Sequence, residues 1–216
     1  MTQPTPHTRC YWVEPDKLLA GSYPGAPTPE EARVKIATIL DAGVRCFINL
    51  MEKDDRDWEG NLFLPYKEIV NELAAERGIF IKHMRIPIKD QGVPQGNELE
   101  RIQEAIGLSL MQELPVYLHC WGGHGRTGMA VGCYLINKGR ATGKTFVDEI
   151  VTLRKDIKTP NASPENQQQI IAVQHYEMKQ QIVPVVQPED IPEDFDRYLG
   201  CLMGLAVGDA VGTTLE

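Results

Sequence analysis

The sequence predicts an α/β protein, a central and mostly parallel sheet flanked by helices on both faces, with an anion-binding loop between the central strand and a helix. Three features carry that expectation. Compact apolar runs at residues 44–50 and 116–118 suit strands covered on both faces. Helical patterns at 65–77, 97–111 and 129–137 alternate with the strands, and such alternation builds parallel sheets. At residues 116–128 the run Val-Tyr-Leu-His-Cys-Trp-Gly-Gly-His-Gly-Arg-Thr-Gly passes from strand to glycine-rich loop to helix start. In sheets of this kind sites form where the strands end.

Taken in order, residues 10–13 and 17–20 read as short strands around Glu14-Pro15, followed by a turn at 21–27. Thr28-Pro29-Glu30-Glu31 is a capping box with proline at the first helical position, so a helix starts there, runs to about Asp41 and stops near Gly43. Residues 44–50 form the next strand, with Cys46 in the core. Asp54, Asp55, Arg56, Asp57 and Trp58 then make a polar loop, expected as solvated surface but able in principle to supply an acid. The helix 65–77 turns Ile69, Val70 and Leu73 inward and ends at Gly78. After a strand at 79–88, Lys89-Asp90-Gln91-Gly92-Val93-Pro94 forms a loop in which Gly92 and Gly96 permit closure and Pro94 stiffens. Asn97, with Glu100 three residues on, predicts a capped helix over 97–111. Helix 129–137 closes at Gly139. Residues 145–154 and 163–180 read as two further helices, Pro164 lying in the first turn of the second.

The chemistry sits in the loop. Unpaired N–H groups and the helix dipole favour a negative ligand, and Gly122, Gly123 and Gly125 let the amides of the loop, Trp121 and His124 included, turn inward around a dianion such as phosphate. A thiol in that field is driven toward thiolate, so Cys120 is the expected nucleophile. Arg126 offers a planar fork matching two phosphate oxygens. Thr127 can donate its hydroxyl to the sulfur, and His119 orders the loop. Cleavage of a phosphate ester also needs a proton on the leaving oxygen, and Asp90, thirty residues before Cys120 on a separate loop, is placed to bring one. Asp54 and Asp55 are the competing carboxyls.

These residues carry a resemblance. His119-Cys120-x-x-Gly123-x-x-Arg126-Thr127-Gly128 resembles the signature of the cysteine-based protein tyrosine phosphatases, most of all the small dual-specificity branch and its cyclin-dependent-kinase-associated relatives. The stretch from Leu18 to Gly25 resembles the first strand region of bacterial dual-specificity phosphatases, and the resemblance covers about residues 8–180. It implies phosphoester hydrolysis through a phosphocysteine, on phosphotyrosine, phosphoserine or phosphothreonine in proteins, with Asp90 as general acid and no metal or other cofactor. It further implies that one of Gln167, Gln168 and Gln169 touches the hydrolytic water. Other readings stay open: a rhodanese or arsenate-reductase type of protein, a catalytically weak phosphate-dependent binding module, or a phosphatase of phosphoinositides or small phosphoesters. The loop lacks the Gly-Lys-Ser/Thr of an ATP-binding loop.

Composition narrows the setting. The 216 residues are 42% hydrophobic, enough for one good core with an appendage, and the net charge of −8 argues against nucleic acid or an anionic membrane as partner. Five cysteines, at 10, 46, 120, 133 and 201, show neither paired nor metal-ligand spacing, and His83, His124 and His175 are scattered. The odd count and the absence of an apolar leader segment predict a cytoplasmic protein. The phosphatase-like domain is expected over 1–182, a proline-rich linker over 183–193 and a separate segment over 194–216. In that segment Gly208-Asp209-Ala210-Val211-Gly212, with Glu216, resembles the opening helix of ADP-ribosylglycohydrolases, although that family's paired magnesium-binding aspartates are absent. The chain is thus expected to be a phosphatase domain cut from a protein that joins the two activities. The apolar face of this helix, from Leu199 to Val207, predicts self-association.

Overall fold

The computed structural model describes residues 4–157 and 161–182, so the linker and the segment 194–216 lie outside the described residues. The chain divides into Met1–Lys179 and Gln180–Glu216, and the first part holds the sheet. Its strands are β1 (Cys10–Glu14), β2 (Leu18–Gly21), β3 (Cys46–Asn49), β4 (Lys82–Arg85) and β5 (Val116–His119). They lie in the order β1-β2-β5-β3-β4, with β1 antiparallel to β2 and every other neighbouring pair parallel. The α/β expectation holds, and the strand that leads into the glycine-rich loop is central.

Strand alternation sorts the core into two layers. Leu18, Ala20, Cys46, Ile48, Val116 and Leu118 face a cluster formed with α3 (Glu98–Met111), α4 (Gly125–Asn137), α5 (Phe146–Leu153) and α6 (Gln167–Ile182). Leu19, Phe47 and Tyr117 face the other way, toward α1 (Pro29–Asp41) and α2 (Lys67–Glu76). Burying each Val, Leu, Ile or Phe among them contributes about 1.5–3 kcal/mol, which is why β2, β3 and β5 read as apolar runs. Helix α4 is buried from Gly125 to Leu135. Helices cover it on its outer side, and a Cβ on Gly128 would fall 2.5 Å from Ser163 Oγ and 3.0 Å from the Pro164 backbone.

Several local expectations change. Thr28 caps α1 as expected, its hydroxyl accepting from the Glu31 amide at 3.3 Å. Asn97, by contrast, makes no side-chain cap bond to α3. Instead Glu98 turns back to accept from the Gly96 amide at 2.8 Å. The strand expected over 79–88 is regular only at Lys82–Arg85, because it lies at the sheet edge with partners on one side. Helix α6 starts at Gln167 rather than at Ser163. Asn166 caps it, its Oδ1 accepting from the Gln169 amide at 3.0 Å, and residues 163–166 stay outside to cross the N-terminal end of α4.

Candidate active site

The loop after β5 surrounds the sulfur of Cys120 with donors. The Gly123 amide lies 3.3 Å from Sγ and the Thr127 hydroxyl 3.1 Å from it, and both point a hydrogen at the sulfur. Gly123 makes this possible with φ +76°, and a Cβ there would sit 2.4 Å from the carbonyl carbon of Gly21 at the end of β2. His119 is fully buried one residue earlier. Its Nδ1 lies 3.2 Å from the Cys120 carbonyl, which can only accept, so Nδ1 carries the proton and Nε2 accepts from Tyr66 Oη at 2.7 Å. Burial lowers the His119 pKa to about 3, so the ring is neutral and orders the loop rather than titrating.

Arg126 lies in the first turn of α4 with its side chain 2% exposed. One nitrogen, Nη1, donates to Asp55 Oδ2 at 2.5 Å and to the Ile88 carbonyl at 3.1 Å, and Nη2 donates to Asp90 Oδ1 at 2.7 Å. Burial opposes its charge, but the negative charges of Cys120, Asp55 and Asp90 outweigh burial and raise its pKa above the ordinary arginine value. Asp90 therefore reaches the site as the sequence suggests. The expectation of a solvated loop fails at Asp55, whose side chain is only 7% exposed against 43% for Asp90, whereas Asp54 is exposed. The only hint in the sequence was its place just beyond the C-terminal end of a parallel strand.

The pocket over Cys120 has a volume of about 170 Å³, and its wall is partly aromatic. Trp58, 83% exposed, stands with its ring centroid 4.7 Å from that of Trp121, and Phe63 packs edge-on to Trp121 at 5.5 Å. Gly122 and Gly125 line the floor, and Arg9 reaches the rim, donating to the Gly122 carbonyl at 3.4 Å. His124 contributes backbone at the start of α4, while its Nε2 accepts from Asn161 Nδ2 at 3.0 Å. Burial, then the charge of Arg154, lowers its pKa. Glu165 was not singled out by sequence. It lines the pocket with its pKa raised by burial and then by the charge of Asp90. Of the three glutamines, Gln167 and Gln168 are exposed and Gln169 is fully buried, its amide 3.2–3.3 Å from where a Gly125 Cβ would lie. Among the described residues no group of three or more His, Cys, Asp and Glu side chains is placed to hold a metal, and no helix is long and apolar enough to cross a membrane.

A cysteine and an arginine six residues apart, held in an anion loop between a parallel strand and a helix and faced by carboxylates, define a cysteine-dependent phosphoester hydrolase site. The comparisons agree with that class. The family model for the Swiss Army Knife protein DSP-PTPase phosphatase domain matches residues 7–184, and the chain belongs to that family. Protein 067L of Invertebrate iridescent virus 3, named for a tyrosine phosphatase, is 32% identical over 126 residues, 56% of this chain and 42% of that protein. Protein tyrosine phosphatase domain-containing protein 1 of Mus musculus is 29% identical over 173 residues, 76% of this chain and 21% of that protein. The chain thus spans less than half the length of either. Kinase-associated phosphatase, solved with its catalytic cysteine changed to serine, superposes with a TM-score of 0.61 at 15% identity, covering 84% of this chain and all of that one.

Proposed function

We propose that this chain dephosphorylates proteins at phosphotyrosine, phosphoserine or phosphothreonine by way of a phosphocysteine. The observation that carries this reading is the convergence of the Gly123 amide and the Thr127 hydroxyl on the Cys120 sulfur, 3.3 and 3.1 Å away, at the floor of a pocket that also holds Arg126. The sulfur attacks phosphorus, and the S–P bond forms as the P–O bond to the leaving group breaks. Asp90 gives its proton to the leaving oxygen. Arg126 and the amides of residues 121–125 hold the remaining phosphate oxygens. Water then attacks the phosphocysteine and gives its proton to Asp90. The S–P electrons return to the sulfur, where Thr127 and Gly123 stabilise them. A phosphate oxygen bound at Arg126 Nη2 competes with Asp90, which frees that carboxyl to turn toward the leaving group. The tilted pair Trp58 and Trp121 favours a flat leaving group, supporting tyrosyl phosphate over the alkyl esters.

The test is a panel of phosphopeptides, phosphoinositides and small phosphoesters with the wild type and Cys120→Ser. The variant should turn over less than about a tenth as fast while still binding phosphate, since the cradle survives and the nucleophile does not. Residual turnover above that level would overturn the assignment. A wild type that binds phosphopeptide without hydrolysing it would be a binding module.

In the same reading residues 183–193 are a linker and 194–216 the start of an ADP-ribosylglycohydrolase-like domain, supported by Gly208-Asp209-Ala210-Val211-Gly212. The protein is cytoplasmic, binds neither nucleic acid nor membrane, and self-associates through the apolar residues Leu199 to Val207. Light scattering of the full chain and of residues 1–183 checks the association, and equal monomer masses would remove it.

A further inference from the structure

Asp90 sits in a turn that is held partly from outside. Asp90 and Gln91 are its two central residues, closed by the Gly92 amide donating to the Lys89 carbonyl at 3.0 Å. Gln91 adopts φ +54°, a conformation that favours glycine or asparagine at that place in a turn. The next two carbonyls are taken from outside. Asn166 Nδ2 donates to the Gln91 carbonyl at 3.1 Å, and Gln169 Nε2 donates to the Gly92 carbonyl at 3.2 Å.

The other ends of the same two amides are committed to the start of α6. Asn166 Oδ1 accepts from the Gln169 amide at 3.0 Å, and Gln169 Oε1 accepts from the Glu165 amide at 2.9 Å. This is the reciprocal arrangement of a capping box, shifted by one residue at the glutamine. Ser and Glu in those places would cap the helix equally well, but a carboxylate has no hydrogens to give the neighbouring loop and a hydroxyl has one on a much shorter stem. Because each acceptor oxygen is held by a backbone amide at the head of α6, the NH2 groups are aimed at the Asp90 turn. Gln169 is fully buried, so its amide has no solvent alternative.

We infer that Asn166 and Gln169 form a clasp that holds the Asp90 turn over Arg126, which makes both of them positioning residues for the general acid. The inference rests on the proposed phosphatase reading and gives Gln169 a task other than contact with the hydrolytic water.

Asn166→Ser separates clasp from cap, since serine keeps the capping oxygen and is too short to reach the Gln91 carbonyl. Turnover of an alkyl phosphate should fall on the order of tenfold, while turnover of an activated aryl phosphate and the melting temperature stay as in wild type. In an Asp90→Asn background the same substitution should cost nothing further. Gln169→Met should show the same selectivity. Equal slowing of both substrates with accumulation of phosphocysteine would assign Gln169 to water and overturn the clasp, as would no change in either substrate. Hydrogen exchange gives a readout independent of turnover. The Gly92 amide should exchange about tenfold faster in Asn166→Ser while α6 stays protected. Unchanged exchange at Gly92 sinks the clasp even if the wild type proves to have no phosphatase activity, and faster exchange without activity would fault the phosphatase reading alone.

Discussion

Two loops bring a carboxylate to the same guanidinium under different conditions. The loop after β3 folds back on itself through an Arg56–Leu62 bridge, and Asp57 accepts from the Glu59 and Asn61 amides, so its shape is made within a few residues. It buries Asp55 against Arg126 Nη1. The loop after β4 is held from outside by Asn166 and Gln169 at the head of α6, and it leaves Asp90 nearly half exposed at Nη2. A carboxylate shut away from water against a guanidinium can only anchor that partner. One that touches both the partner and solvent is open to a leaving group, and general acid catalysis requires that reach. Similar distances to Arg126, 2.5 and 2.7 Å, therefore do not mean equal roles.

The largest effect that would break this contrast is at Asp90. Asp90→Asn should slow esters with poor leaving groups by roughly 10²–10⁴-fold and leave activated aryl phosphates nearly untouched, because only the former need the proton. Steady-state rates on the two substrate types measure it. Equal slowing of both, with the selective loss appearing instead in Asp54→Asn or Asp55→Asn, would move the acid to the earlier loop.

Asp55→Asn should act on stability and on both substrates alike. Removing one member of a buried pair costs about 3–5 kcal/mol, and the amide oxygen that remains, with Asp90 still at Nη2, should reduce that to about 1–3 kcal/mol. Urea unfolding reads the stability loss and phosphate titration the weakened clamp. A variant as stable as wild type would mean that Asp55 anchors nothing.

The smallest effect sharpens the contrast from the cradle side. His119 has a folded pKa of about 3 against 6.5 for the free ring, so the unfolded chain binds the extra proton first. Stability from this residue is complete above about pH 6.5 and is lost as pH falls toward 3, at about 1 kcal/mol per pH unit inside that window. Unfolding free energies at pH 7, 5.5 and 4.5 should decline less steeply in His119→Asn than in wild type. Parallel declines would show that the ring is not buried neutral.

The cradle was legible in the sequence because its parts are contiguous. Strand, loop and helix start occupy thirteen consecutive residues, and the spacing from Cys120 to Arg126 already sets which groups meet on one helix N-terminus. The order of apolar runs and helical patterns determined the α/β class in the same way, by local periodicity. Asp90 could be read because phosphoester chemistry demands an acid and its loop offered one.

Only the tertiary structure decided the rest. Arg126 meets Asp55 across 71 positions of sequence, Gln169 meets Gly92 across 77, and Tyr66 meets His119 across 53. Nothing in a run of Asp, Asp, Arg, Asp marks which carboxyl will be buried, because that depends on where β3 ends beside α4. Three consecutive glutamines are equivalent as sequence, and the rotation of α6 against the Asp90 turn makes Gln169 the buried one. Local preferences could settle what each segment becomes; the partners of its polar atoms follow from how the segments pack, since every buried donor and acceptor must find its mate there.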